Sequence, residues 1–153
     1  MLALAAAVLL ALPHQGVLDP GRSLAGVRLG SPEAQVRRAL GPRVGVCRGC
    51  PRRTLYFTYA PFNAVGVGVE LVRRRAVAIY TLWSPSGWQT RDGVQMGTDE
   101  LNVTSTYPGM LRTHCGHYDA LELRRGRVST VFWLRNGNLW GFGLQRPSVS
   151  VCR

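Results

Sequence analysis

The chain has 153 residues and carries 19 basic against eight acidic side chains, a formal net charge of +11. All the basic residues are arginine, which excludes a Schiff-base lysine and a P-loop lysine. Hydrophobic residues make up 46% of the chain, a share that excludes an intrinsically disordered protein. At this length we expect one domain or two very small ones.

The chain begins with an apolar run from Met1 to Leu12. A bilayer-spanning helix needs about 20 residues, so no transmembrane helix is predicted here. The length is typical of the apolar region of a secretory signal peptide, with a buried N-terminal helix as the alternative. We therefore predict a signal peptide over residues 1–15 and a linker over 16–25. The mature chain should begin between residues 14 and 26, in a protein that is secreted or located in the periplasm or cell envelope.

Two segments of the chain resemble each other. Residues 26–33 read Gly-Val-Arg-Leu-Gly-Ser-Pro-Glu, and residues 93–100 read Gly-Val-Gln-Met-Gly-Thr-Asp-Glu. Each contains a Ser or Thr suited to capping a helix and is followed by apolar residues four positions apart. The pattern predicts one helix at the start of each of two repeats. The helices are predicted over Ser31–Leu40 and Thr98–Tyr107, and the repeats over residues 26–92 and 93–153.

Alternating apolar residues separated by polar turns predict three strands after each helix. The Asn136-Gly137 step is typical of a two-residue hairpin turn. Because a repeat of this size buries little core alone, we expect the two to share one sheet. The predicted fold class is α+β, with two tandem helix-plus-antiparallel-meander repeats. The strands are predicted over Thr54–Tyr59, Val65–Val72, Ala76–Trp83, Tyr118–Arg124, Val128–Leu134 and Leu139–Leu144.

The two helix-start phrases resemble those of a superfamily of secreted bacterial α/β domains. That superfamily includes β-lactamase inhibitory proteins, which are tandem repeats, and the small lipoproteins of the outer-membrane β-barrel assembly machinery. The resemblance covers residues 26–144 in architecture, although only the two phrases match closely. It implies an exported, non-enzymatic, protein-binding or structural module. The chain lacks the lipobox cysteine of the lipoproteins, and no inhibitory contact residue is carried over.

Four cysteines allow three disulfide connectivities. Cys47 and Cys115 stand at equivalent places after the two predicted helices. Pairing within each repeat joins Cys47 to Cys50 and Cys115 to Cys152. In an exported protein we expect these structural disulfides, the second of which would hold residues near Cys152 against the body of the protein.

Two alternatives remain open for the cysteines. Cys47-Arg48-Gly49-Cys50 is a C-x-x-C motif with arginines beside it, which favours a thiolate and hence thiol–disulfide chemistry. Alternatively, Cys47, Cys50 and Cys115 could bind zinc together with His114 and His117 if the two post-helix loops meet. The alternative function is therefore a thiol–disulfide or zinc-binding protein centred on Cys47 and Cys50.

Aromatic and arginine residues provide the candidate binding surface. Adjacent residues of a strand point to opposite faces, so some aromatic side chains must lie on the sheet face away from the helices. Tyr, Trp, Phe and Arg are enriched at protein interfaces. The candidate sheet residues are Tyr56, Tyr80, Phe132 and Trp133, and the candidate turn residues are Arg73, Arg74, Arg75, Arg124, Arg125 and Arg127.

Glycines recur at alternate strand positions, at Gly66 and Gly68 and again at Gly141 and Gly143. They predict a smooth strip that either admits a partner or accommodates large rings of the protein itself.

No catalytic motif stands out. The acidic residues are scattered, no G-x-S-x-G occurs, and the glycine pairs lack the following helix that phosphate binding requires. We expect no enzyme activity, no cofactor and no metal. The expected partner is an unknown protein or an anionic cell-envelope component, bound through the sheet face or the basic turns. Nucleic acid is not expected as a partner, because the protein should be exported and carries no nucleic-acid motif.

Overall fold

The computed structural model describes residues 16–58, 66–82 and 87–153, of which 48% lie in strands and 12% in helices. Two sheets and two helices make up this part of the chain. In chain order the elements are β1 (Val17–Asp19), β2 (Ser23–Leu24), α1 (Glu33–Leu40), β3 (Val44–Val46), β4 (Arg53–Thr58), β5 (Gly66–Val72), β6 (Arg75–Leu82), β7 (Gln89–Thr90), α2 (Glu100–Thr106), β8 (Leu111–His114), β9 (Asp119–Arg125), β10 (Val128–Arg135) and β11 (Asn138–Gln145).

One eight-stranded antiparallel sheet dominates the molecule. Its strand order is β3-β4-β5-β6-β11-β10-β9-β8, so the first and second halves of the chain meet where β6 pairs with β11. That ladder covers only Ala78–Tyr80 against Gly143–Gln145. Beyond it, the Thr81 hydroxyl donates to the Phe142 carbonyl at 3.2 Å and accepts from the Phe142 N–H at 3.0 Å. A side chain thus replaces the backbone ladder at the middle of the sheet.

The expected α+β fold class of two helix-plus-meander repeats is wrong, since the protein is mostly β. The helices have only eight and seven residues, because glycine or proline follows each of them at Gly41 and Pro108. Two edge strands, β3 and β8, were not predicted. β3 has only three residues and β8 has one apolar residue among four, so neither shows the sustained apolar alternation by which a strand is recognised. The bounds of the six predicted strands agree with the structure to within one residue.

The residues expected to be a linker, 16–25, form β1 and β2 of a second, three-stranded sheet with the order β2-β1-β7. Leu18 and Leu24 are fully buried there. The predicted signal peptide, residues 1–15, lies outside the described residues. Neither α1 nor α2 has the length and apolar character needed to cross a bilayer.

The helix caps lie one residue later than the Ser and Thr in the repeated phrases. Pro32 precedes α1 without a capping side chain, and Asp99 caps α2 by accepting from the Asn102 N–H at 3.0 Å. Ser31 and Thr98 instead accept from backbone N–H groups three residues earlier, at Arg28 and Gln95. Both hydroxyls thus stabilise the turn before the helix.

The main core lies between one face of the large sheet and a layer made of α1, α2 and the small sheet. Buried side chains of the large sheet, such as Phe57, Ile79 and Phe142, pack there in the same cluster as Leu18, Val36 and Val103 of that layer. We call this side of the large sheet the helix face and the opposite side the open face.

Candidate functional site

The open face is defined by the strand register. Tyr56, Gly68, Tyr80 and Gly143 lie opposite one another across four consecutive strands, so they share one face. Their chain neighbours, such as Ile79, point into the main core. Trp133 belongs to the open face as well, since it packs in the same cluster as Tyr80. Strand pleating therefore brings three of the four predicted aromatic residues together.

Phe132 does not belong to this group. It is fully buried on the helix face, where its ring stacks on Tyr107 with 5.1 Å between the centroids. The predicted exposed patch is also largely covered, because only 8% of Tyr80 and 2% of Trp133 remain accessible. Other parts of the chain therefore cover these rings, and the open face has a recess instead of a flat aromatic surface.

The glycine strip accommodates the protein's own rings. A Cβ added at Gly68 would lie 2.5 Å from Cζ of Tyr80, and one added at Gly141 would lie 3.2 Å from Cε3 of Trp133. Gly143 lies against the backbone of β6, where a Cβ would be 2.6 Å from the Ile79 carbonyl oxygen. At Gly68 and Gly141 the structure therefore supports the interpretation that the glycines accommodate rings of the protein itself.

A segment after β11, residues 146–153, crosses the open face. The indole N–H of Trp133 donates to the Val151 carbonyl at 2.8 Å, and Val149 is buried against the same aromatic cluster. The Arg153 guanidinium lies 3.7 Å from the centroid of the Tyr80 ring. It also donates to Gln145 at 2.9 Å and forms an ion pair with Glu70. This segment covers part of the face that the sequence predicts to be exposed.

A cavity of about 430 Å³ remains between this segment and the other wall, which consists of Tyr56 and the residues before β4. The rings of Tyr80 and Trp133 lie in its lining, and Glu70 is the only carboxylate among the described residues that line it. Glu70 is paired with both Arg52, at 3.1 Å, and Arg153. The lining comprises Pro51, Arg52, Tyr56, Glu70, Tyr80, Thr81, Trp133, Trp140, Val149, Ser150, Cys152 and Arg153.

Burial raises the pKa of the Tyr80 phenol above its ordinary range, so this group stays neutral at every physiological pH. The aromatic part of the cavity is thus uncharged, while arginine side chains and one carboxylate that is ion-paired with them line the rest. Such a surface suits an apolar or aromatic group flanked by polar atoms.

Some of these lining residues were not predicted. The pairing of the strands and the path of the 146–153 segment bring four further residues to the cavity, namely Arg52, Glu70, Trp140 and Arg153. Alternation within β5 places Glu70 on the same face as Gly68, a pattern that sequence reasoning could have used. No sequence pattern indicates where Arg153 lies.

The predicted basic turns are both exposed. Arg73 and Arg74 form the β5–β6 turn, Arg75 begins β6, and Arg124, Arg125 and Arg127 surround the β9–β10 turn. These two turns lie at the same end of the large sheet. The end of β11 pairs with the start of β6 on one side and with the start of β10 on the other, so the β5–β6 turn and the β9–β10 turn are at that end.

The cysteines pair as Cys47 with Cys50 and Cys115 with Cys152, the pairing predicted within each repeat. Disulfides persist in oxidising compartments, so both are compatible with a secreted protein. The zinc set is not brought together. Cys47 follows β3 and Cys115 follows β8, the opposite edges of an eight-stranded sheet, and His114 contacts Asp119 at 2.6 Å. No cluster of metal-ligating side chains occurs among residues 16–58, 66–82 and 87–153.

No known protein family and no curated protein matches the chain. One solved structure, described as an extracellular protein containing a SCP domain from Bacillus anthracis str. Ames, has a similar fold, with a TM-score of 0.58 and 10% sequence identity. The match covers 78% of this chain and 44% of that chain, so this chain spans less than half the length of that protein. At this identity the likeness concerns the fold alone. The resemblance to the superfamily of β-lactamase inhibitory proteins stays a prediction.

Proposed function

We propose that the protein is an exported, non-enzymatic module that binds another protein and takes an anchoring side chain of that partner into the cavity on the open face. The observation that carries this proposal is the cavity itself, which combines tyrosine, tryptophan and arginine side chains in one recess. These residue types dominate the energetically important positions of protein interfaces.

The chemistry of the cavity favours binding over catalysis. Among the described lining residues the only carboxylate is Glu70, and two guanidinium groups engage it, so none of these residues offers a free carboxylate as a general base. Both cysteines nearest the cavity, Cys50 and Cys152, are in disulfides.

Export is supported by three observations. The sequence begins with an apolar run suited to a signal peptide, the structure holds two disulfides, and the protein of similar fold is extracellular. We place the protein in the extracellular space, the periplasm or the cell envelope.

Site-specific photo-crosslinking in the secreting cell tests this proposal. A photoreactive residue replaces Ser150, which is exposed and lines the cavity, and in a control it replaces Leu101, which is 75% exposed on α2. We expect a discrete protein adduct from position 150 only. Tyr56→Ala should strongly reduce that adduct, because truncating an anchoring contact costs about 2 kcal/mol of binding. Equal adducts from both positions, or an adduct unaffected by Tyr56→Ala, would contradict the proposal.

A further inference from the structure

Exposed arginines gather at one end of the large sheet. The start of β4, the β5–β6 turn, the residue after β11 and the β9–β10 turn all lie at this end. From β4 to β9 there are five inter-strand spacings, a width of about 24 Å. We call this set the basic edge, and it comprises Arg53, Arg73, Arg74, Arg75, Arg124, Arg125, Arg127 and Arg146.

The β5–β6 turn at the basic edge has an unfavourable sequence for its geometry. Arg73 and Arg74 have φ angles of +48° and +60°, and Val72 pairs with Arg75 across the turn. Two positive φ angles are typical of a two-residue type I′ turn, which strongly prefers Asn-Gly. The β10–β11 turn has that sequence, with Asn136 at +51° and Gly137 at +73°.

The left-handed conformation is unfavourable for residues with a Cβ, so the Arg-Arg turn is less stable than an Asn-Gly turn of the same shape would be. Such conflicts between local preference and fold cluster at functional sites. What the two arginines add is charge, since 81% of the Arg74 side chain is exposed and Arg73 is exposed as well.

A groove of about 350 Å³ lies beside this turn, between it and the start of α1. Glu33 at the groove is contacted by Arg53 at 2.9 Å, by Arg37 at 2.9 Å and by Arg74 at 3.6 Å. The Arg53 guanidinium lowers the pKa of Glu33 to about 2, so the carboxylate is ionised. Three guanidinium groups against one carboxylate leave the groove cationic.

We propose that the basic edge binds an extended, phosphate-bearing polymer of the cell envelope and holds it at the Arg73–Arg74 turn. Guanidinium groups pair with phosphate through parallel hydrogen bonds. A row of them about 24 Å wide engages several phosphates of one chain at once, which raises the overall affinity. A polymer can enter the concave groove beside the turn, whereas a flat bilayer surface cannot. This site goes beyond the proposed protein-binding cavity and does not depend on that cavity, but a partner from the cell envelope rests on the proposed export.

Binding of linear inorganic polyphosphate at low salt tests the inference. In the variant Arg73→Asn/Arg74→Gly we expect about tenfold weaker binding, because two cationic contacts are lost. We also expect a melting temperature about 4 °C higher, because the turn strain is relieved. Arg73→Gln/Arg74→Gln should lose the same affinity without the thermal gain, since both positions keep a Cβ. Exposed Arg43 precedes β3 beside the end of β4, and exposed Arg135 ends β10, so both lie at the opposite end of the sheet. Arg43→Gln/Arg135→Gln, which removes the same charge there, should bind within about twofold of the wild type.

Four results would overturn the inference. Unchanged binding by Arg73→Asn/Arg74→Gly would show that the turn is not part of the binding site. An equal loss of affinity in the Arg43→Gln/Arg135→Gln control would show that only the net charge of the protein matters. A lower melting temperature in the Asn-Gly variant would show that the arginine turn is not strained. Tighter binding to phosphatidylglycerol vesicles or to single-stranded DNA of matched charge would identify a membrane or a nucleic acid as the partner.

Discussion

Single glycine residues decide how closely the strands and rings of the open face approach one another. Gly143 lies in β11 opposite Tyr80, and neither Gly143 nor Gly45 has a positive φ angle, so both backbones suit any residue. The two differ in the space around them. A Cβ at Gly143 would meet the Ile79 carbonyl oxygen at 2.6 Å, whereas at Gly45 the nearest atom is 4.0 Å away.

We therefore predict that Gly143→Ala destabilises the protein by about 1–3 kcal/mol, because the clashing atoms are backbone and cannot move aside. The matched control Gly45→Ala should change the free energy of unfolding by less than about 0.5 kcal/mol. Urea unfolding followed by circular dichroism measures both. Equal effects of the two substitutions would show that β6 and β11 do not approach as closely as the structure describes.

The two disulfides act very differently on the segments and strands that they join. Cys47 and Cys50 are three residues apart, whereas Cys115 and Cys152 are 37 apart and tie the 146–153 segment to the end of β8. A disulfide that closes a longer loop removes more conformational entropy from the unfolded chain.

We predict that Cys115→Ser/Cys152→Ser costs about 4 kcal/mol of stability and Cys47→Ser/Cys50→Ser about 2 kcal/mol. Only the first variant should also make Trp133 accessible to acrylamide, because it releases the segment whose Val151 carbonyl accepts from that indole. Equilibrium unfolding and fluorescence quenching give the two readings. An equal gain in quenching for both variants would mean that the disulfide does not hold the segment in place.

The sequence predicts the long strands well because apolar residues alternate along them wherever one face is buried, as Leu55 and Phe57 do in β4. Strand prediction fails where this alternation is missing. The edge strands β3 and β8 are exposed, and β1 and β2 are too short to show a period. Because these short strands carry no such pattern, the sequence predicts too large a share of helix and therefore the wrong fold class.

The candidate site was predicted only in part, for a related reason. Alternation places Tyr56, Tyr80 and Trp133 on the strands and shows that Phe132 and Trp133 point to opposite faces. It does not show which face the helices cover, and Phe132 lies buried on that face, so its place in the predicted exposed group is wrong. Nor does it show that Arg153, far along the chain from Glu70, returns to pair with it.

At the scale of the whole molecule, the two proposed sites occupy different surfaces. The cavity opens on the open face, and the basic edge lies at one end of the strands. A protein partner and a phosphate polymer could therefore be bound together, which would suit a module that holds another protein against the cell envelope.

The packing of residues 16–18 limits the position at which a signal peptide could be cleaved. Gly16 lies against the ring of Trp88, and its carbonyl accepts from the Gln89 N–H at 3.3 Å. Leu18 is fully buried in β1, the central strand of the small sheet. Cleavage beyond Gly16 would therefore remove part of the core, although the sequence alone allows a mature start anywhere from residue 14 to residue 26.

We predict that the mature protein begins at residues 14–16, as N-terminal sequencing and intact mass of the protein from the culture medium or periplasm would show. A chain produced from Gly16 onward should unfold like the natural mature protein. One that begins at Gly26 should be less stable by about 3 kcal/mol or more, because the burial of Leu18 and Leu24 is lost. A natural start between residues 20 and 26, with unchanged stability, would show that β1 is dispensable to the fold.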